Sequence, residues 1–124
     1  MKVLTVALGL LQRDGRWFLQ RRELGNPRLP GRWEFPGGKA CEGETLEQAL
    51  RRELDEELGW KPRSCTLIGA TEYVYPDRRV RLHPFLCEGD SRVRTHLSWG
   101  WFTLAEMGSL PIPEANRALL QGLR

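Results

Sequence analysis

Between Gly37 and Trp60 the chain reads GGKACEGETLEQALRRELDEELGW, and no other stretch limits the possible folds as tightly. Pro36-Gly37-Gly38 breaks the chain, and the residues after it have the marks of one well-delimited helix. Thr45 is placed to cap its N-terminus, with Gln48 three residues on to complete a capping box. Gly59 stands where a left-handed residue closes a helix, and Pro62 blocks continuation. The spacing predicts a helix over Leu46–Leu58. At about 100° per residue, Leu46, Ala49, Leu50, Leu54 and Leu58 form one apolar sector, while Gln48, Arg51 and Asp55 fall opposite, in solvent. Glu53 and Glu57 project between Ala49 and Leu50, inside that sector, and Glu56 lies beside Ala49. Carboxylates one turn apart repel, and on a buried side they shift toward neutrality unless compensated. A divalent cation removes both penalties, and oxygen ligands suit Mg2+, with Mn2+ as a close substitute. The alternative is an acidic face salt-bridged to arginines. The buried side of the three acids and the Gly-Gly loop before them favour the metal.

The rest of the chain reads as strands around this helix. Val3–Gln12 and Arg16–Arg22 are strand-like, and Asp14-Gly15 between them signals a hairpin. Glu23–Arg32 carries Gly25, Asn26, Pro27, Pro30 and Gly31 and reads as a loop, followed by a short strand at Trp33–Phe35. Cys65–Tyr75 and Val80–Cys87 flank Pro76-Asp77-Arg78-Arg79 as a second hairpin. Glu88–Arg94 reads as loop, Ser98–Thr103 as an aromatic strand and Leu104–Met107 as a helical turn. A terminal helix is expected over Glu114–Leu123, entered from Pro113.

At 124 residues, with 40% hydrophobic and 28% charged content, the chain suits one globular domain. The apolar run after Lys2 is followed by Gln12, Arg13 and Asp14 with no small-residue cleavage site, so a strand and a cytoplasmic location are expected. Three cysteines without metal-like spacing argue against a disulfide framework. The net charge is +3, and all but three of the 19 basic residues are arginine, whose planar fork suits phosphate. No Lys/Arg block is present and the acids are clustered, which favours a small phosphorylated ligand over a nucleic-acid polymer.

The central stretch resembles the signature of the Nudix hydrolases, G-x5-E-x7-R-E-U-x-E-E-x-G-U with U a bulky apolar residue. Its positions fall on Gly38, Glu44, Arg52, Glu53, Leu54, Glu56, Glu57, Gly59 and Trp60. Trp60 replaces the family's usual aliphatic residue. Arg32–Lys39, Tyr75–Arg78 and Pro113–Asn116 resemble further segments of the MutT-like branch. The resemblance implies an α/β fold, a Nudix-type α/β/α sandwich with a curved mixed sheet and two main helices, forming one domain over residues 1–124. It also implies Mg2+-dependent hydrolysis of nucleoside triphosphates of the 8-oxo-dGTP type to monophosphate and pyrophosphate. Another nucleotide substrate, such as a cytidine nucleotide or nucleotide sugar, is the alternative, as is a non-catalytic nucleotide-binding domain. The expected partner is the small nucleotide alone, with no membrane and no nucleic-acid polymer. A monomer is expected, with a dimer as the other possibility.

By the same resemblance Glu53, Glu56 and Glu57 hold the metal with the Gly37 carbonyl, and Glu53 is the general base or orients the water. Arg52 pairs with Glu44 or Glu56 and orients them. Arg22 contacts the α-phosphate, with Arg28 and Arg32 also in reach of phosphate. Gly37, Gly38 and Lys39 border the substrate, Phe35, Tyr75 and Arg78 wall the base pocket, and Asn116 reads a purine edge. Many relatives carry a glutamate in the loop that falls near Thr95 here, where this chain has none. His83 and His96 have no ligand-spaced partner and are expected to play no part.

Overall fold

A computed structural model describes residues 2–90 and 92–123. Its spine is β1 (Lys2–Arg13), whose side chains alternate between two buried faces. Ala7 and Leu11 point to one face, Leu8 and Leu10 to the other. A strand buried on both sides belongs inside a layered sheet. β1 pairs in parallel with β7 (Arg78–Glu88), from Lys2 opposite Arg78 to Leu11 opposite Cys87. It then turns at Asp14-Gly15, both at positive φ as a two-residue hairpin requires, into antiparallel β2 (Arg16–Arg21). β2 carries β3 (Trp33–Glu34) and β8 (Trp99–Phe102), both antiparallel.

β4 (Gly37–Lys39) lies antiparallel on β1, with Ala7 opposite Gly38 and Leu8 opposite Gly37. The expected chain break at Pro36-Gly37-Gly38 is therefore a strand from Gly37 onward. Glycines seldom signal a strand, but here they let two backbones meet. The expected run Cys65–Tyr75 is two strands, β5 (Ser64–Leu67) and β6 (Thr71–Tyr75), both antiparallel to β7. Between them residues 68–70 face residues 83–84, three against two. Pro84 has no N–H to offer the ladder, and Ile68 N–H instead donates to its carbonyl at 2.9 Å.

α1 (Leu46–Leu58) has the expected bounds and caps: Thr45 Oγ1 accepts from Gln48 N–H at 3.1 Å, and Thr45 N–H donates back to Gln48 Oε1 at 2.9 Å. Gly59 closes it at φ 58°. Leu50, Leu54 and Leu58 are fully buried against Ala7, Leu11, Phe18 and Phe85, each contributing about 1.5–3 kcal/mol. On the opposite face α2 (Leu104–Met107) and α3 (Glu114–Leu120) bring Met107, Ala115 and Leu119 onto Leu8, Leu10, Val80 and Leu82. The layers are thus helix, mixed sheet, helix, the sandwich expected from the sequence. α3 stops at Leu120 rather than Leu123, and the aromatic strand is trimmed to Trp99–Phe102. Glu88 belongs to β7, not to the following loop, in which Ser91 lies outside the described residues. Among the described residues no helix is long and apolar enough to cross a membrane.

Candidate active site

β4 delivers the glycine pair to the flank of α1. A Cβ on Gly37, whose φ is +140°, would stand 2.1 Å from the Ala7 carbonyl oxygen. A Cβ on Gly38 would stand 2.5 Å from Glu53 Cδ and 2.7 Å from both carboxylate oxygens. The Glu53 carboxylate thus lies against the bare backbone of Gly38. Gly37 N–H donates to Glu57 Oε2 at 2.9 Å. Two of the three expected metal-binding acids are therefore placed by two adjacent glycines.

Arg52 organises the remaining acids. Its Nε and Nη2 donate to the two oxygens of Glu44 at 2.7 and 3.0 Å. Nη1 donates to Glu53 Oε1 at 2.9 Å and Glu56 Oε2 at 3.3 Å, and Nη2 also reaches the Lys39 carbonyl at 3.2 Å. These guanidinium bonds, with that from Cys41 N–H, hold the Glu44 carboxyl down at about 2. Glu57 is shifted the other way. Burial pushes its carboxyl up to about 8, the charges of Glu53, Glu34 and Glu56 add to this, and the Gly37 N–H opposes it. Glu56 departs from its expected place: its side chain is 59% exposed and turns toward Arg52. Arg51 is not free in solvent either, but binds Glu47 at 3.0 Å and the Pro62 carbonyl at 2.9 Å.

The groups expected to hold a metal, Glu53, Glu56, Glu57 and the Gly37 carbonyl, offer oxygen only, which suits a hard divalent cation. A desolvated carboxyl that holds its proton to about 8 marks a point where positive charge is wanted. Among the described residues no three acidic, histidine or cysteine side chains converge closely enough to hold an ion as they stand. Arg52 Nη1 holds one oxygen each of Glu53 and Glu56, and Glu57 is held separately by the Gly37 N–H.

A cavity of about 660 Å3 opens beside these acids. Its lining combines polar groups, Arg22, Glu34, Lys39, Glu56, Glu57, Arg78 and Asn116, with apolar ones, Leu4, Leu8, Phe35, Val80 and Leu82, and with Gly38 and Tyr75. Glu44, Arg52 and Glu53 stand outside the wall, Glu53 beneath Gly38. Buried Asn116 accepts the Phe35 N–H through Oδ1 at 3.2 Å, so its amide NH2 is the group left for a ligand. The Tyr75 hydroxyl accepts the Ala115 N–H at 3.2 Å, capping a helix whose own N-cap, Pro113, offers no side-chain acceptor. Arg22, one residue past β2, is held by Glu34 at 3.0 Å and by the Arg28 carbonyl at 3.1 Å. Arg28 turns to Asp77 and is absent from the cavity wall, as is Arg32.

Polar residues not expected at the site also line the cavity, among them Gln20, Glu34, Thr95 and His96. Gln20 lies across from Glu34 in the β2–β3 ladder and receives the Thr95 hydroxyl at 3.1 Å. Its spacing of two from Arg22 was the available signal. Burial raises the Glu34 carboxyl, against the pull of Arg22. His96, expected to be inert, stands at the rim, 3.5 Å from Glu23.

An α/β/α sandwich whose glycine strand lies against a helix rich in carboxylates, beside a cavity of mixed polarity, has the architecture of a MutT-like hydrolase. The chain belongs to the NUDIX domain family, matched over residues 1–123. It is 32% identical to the 8-oxo-dGTP diphosphatase of Escherichia coli (strain K12), over all of this chain and 98% of that protein. It is also 30% identical to the CTP pyrophosphohydrolase of the same organism, over 98% of this chain and 91% of that one. The crystal structure of a MutT NUDIX hydrolase from Burkholderia pseudomallei superposes with a TM-score of 0.88 at 25% identity, covering both chains fully.

Proposed function

We propose that the protein is a Mg2+-dependent pyrophosphohydrolase of nucleoside triphosphates of the 8-oxo-dGTP type, working in the cytoplasmic nucleotide pool. The mixed lining of the cavity carries this reading. Phe35, Tyr75 and Asn116 suit a purine, and Arg22 and Lys39 with Glu56 and Glu57 suit a phosphate chain and its cation.

Glu53, Glu56 and Glu57, with the Gly37 carbonyl, would hold the ion, which when bound neutralises phosphate charge and acidifies a water. The chain's own residues do the rest. Arg22 presents the N–H groups left free by Glu34 and the Arg28 carbonyl, fixing the α-phosphate. Lys39 adds charge at the mouth. Glu53, held flat against Gly38, orients the attacking water and takes its proton. Arg52 fixes Glu44 and steadies the carboxylates beside it. Asn116 donates its NH2 to an acceptor on the base edge. Water adds to phosphorus, the phosphoanhydride bond breaks, and monophosphate and pyrophosphate leave.

A second reading, a cytidine triphosphate substrate, rests on the likeness to the CTP pyrophosphohydrolase. The deciding experiment measures pyrophosphate released from 8-oxo-dGTP, dGTP, CTP and dCTP, with Mg2+ and with chelator. Fastest release from 8-oxo-dGTP, abolished by chelator, is expected. Fastest release from a cytidine nucleotide would select the second reading, and no release from any would overturn both.

A further inference from the structure

Arg28 is the node of the loop between β2 and β3. Its N–H donates to Asn26 Oδ1 at 2.9 Å, and its carbonyl accepts from Arg22. Its guanidinium grips Asp77 with two prongs, Nη1 to Oδ2 at 3.0 Å and Nη2 to Oδ1 at 3.3 Å. It also stands over the Tyr75 ring, 5.5 Å from the centroid. Forty-nine positions separate Arg28 from Asp77, so the contact ties two loops together, beside Tyr75 and Arg78 of the cavity wall. Asp77 is 61% exposed, and an ion pair that open adds little to stability.

Its consequence falls on the next residue. Arg78 lines the cavity and stands over the same ring at 5.9 Å. Its Nε is buried without a hydrogen-bond partner, as are those of Arg22, Arg28 and Arg79, but of these four arginines only Arg78 has no carboxylate paired with it among the described residues. Such a group is costly unless something else meets it. Asp77 is its chain neighbour, but each of the two Asp77 oxygens already accepts an N–H from Arg28. Two guanidiniums flank one ring beside one carboxylate, and the bidentate grip settles which of them is neutralised.

We propose that Arg28 is a specificity-determining positioning residue: by occupying Asp77 it keeps Arg78 unpaired and available to the acceptor edge of the substrate's base. The proposal rests on the reading of Arg78 as a base contact. Removing the Arg28 charge frees Asp77 to capture Arg78, and the base end loses its cation. Removing the Asp77 charge as well leaves Arg78 free again.

The test is steady-state kinetics of Arg28→Gln, Asp77→Asn, the double variant and Arg78→Gln, on the nucleotide giving the fastest pyrophosphate release, with thermal unfolding as the check on folding. Arg78→Gln and Arg28→Gln should each raise KM by about tenfold with kcat within about twofold. Asp77→Asn and the double variant should stay within about threefold of wild-type KM. A loop clasp, or direct substrate contact by Arg28, would leave the double variant as impaired as Arg28→Gln. That result, or a normal KM in Arg28→Gln while Arg78→Gln is impaired, overturns the proposal alone. A normal KM in Arg78→Gln overturns the reading of Arg78 beneath it.

Discussion

Replacing Gly38 by alanine separates the position of the Glu53 carboxylate from the integrity of the fold. The new Cβ would stand 2.5 Å from Glu53 Cδ, where carbon–carbon contacts settle at about 3.5–4 Å. The shortfall is roughly 1 Å. Gly38 cannot retreat, because it is paired with Ala7 in the β4–β1 ladder. The carboxylate must therefore swing away, straining its 2.9 Å bond to Arg52 Nη1. Overpacking of this kind costs about 1–3 kcal/mol, enough to lower Tm without unfolding the chain. A 1 Å misplacement of a reacting or ligating group costs on the order of 100-fold in rate. The assay is Mn2+ affinity by electron paramagnetic resonance beside turnover by pyrophosphate release. We expect turnover to fall about 100-fold and Mn2+ binding to weaken, with far-UV circular dichroism unchanged. Affinity and turnover both within about threefold of wild type would show that Gly38 does not set the carboxylate's position. Gly37→Ala fails differently: at φ +140°, with the Ala7 oxygen 2.1 Å from the new Cβ, it should disrupt the strand itself.

Other perturbations probe the remaining parts. The Glu57 carboxyl is raised from 4.5 to about 8, so its contribution to metal-free stability is complete below 4.5 and is lost as pH rises through about 8. A cation must displace that proton, so Mn2+ affinity should gain up to about tenfold per pH unit toward 8 and then level off; calorimetry at about pH 7 that finds no proton release would remove Glu57 from the ligand set. Glu53→Gln should abolish most turnover while weakening metal affinity less, and turnover near wild type would cancel its assignment as base. Tyr75→Phe leaves the Ala115 N–H without its acceptor and should lower stability by about 1 kcal/mol in denaturant unfolding, with an unchanged midpoint counting against the cap. Asn116→Ala should reduce the preference for 8-oxo-dGTP over dGTP, by about 1–3 kcal/mol in relative kcat/KM; an unaltered ratio would mean that Asn116 does not read the base.

The helix was legible because its instructions are local. Thr45, Gln48 and Gly59 act on groups within a few residues of themselves, and they set the bounds Leu46–Leu58 directly. The cavity is written otherwise. Gln20 and Glu34 meet only because β2 and β3 pair in a particular register, and Thr95 joins them from a loop 75 positions away. No linear pattern marks such a triplet. The wheel placed Glu53 and Glu57 toward the sheet, but it could not show that Arg52 draws Glu56 out to solvent. A glycine pair reads as a break because its usual meaning is backbone freedom. At Gly37 and Gly38 the operative property is the missing side chain, which shows only once β1 and Glu53 are in place.

The arginine content invites a similar correction. Read as composition, it promises a strongly phosphate-seeking surface, yet most arginines near the site are already engaged. Arg52 is divided among Glu44, Glu53 and Glu56, Arg22 between Glu34 and the Arg28 carbonyl, and Arg28 is held by Asp77. Arg117 donates to the Leu110 carbonyl at 2.7 Å. Guanidinium groups serve here mainly as cross-links, where five N–H donors in a fixed fork can join a carboxylate to a carbonyl. What remains for a ligand in the cavity is Lys39, the free face of Arg22, and Arg78. A phosphate chain with its own divalent ion needs few cations from the protein, because much of its charge arrives already neutralised. A duplex or single strand would need many along its length. Around the cavity, then, the arginines are largely spent on holding acids and loops in place.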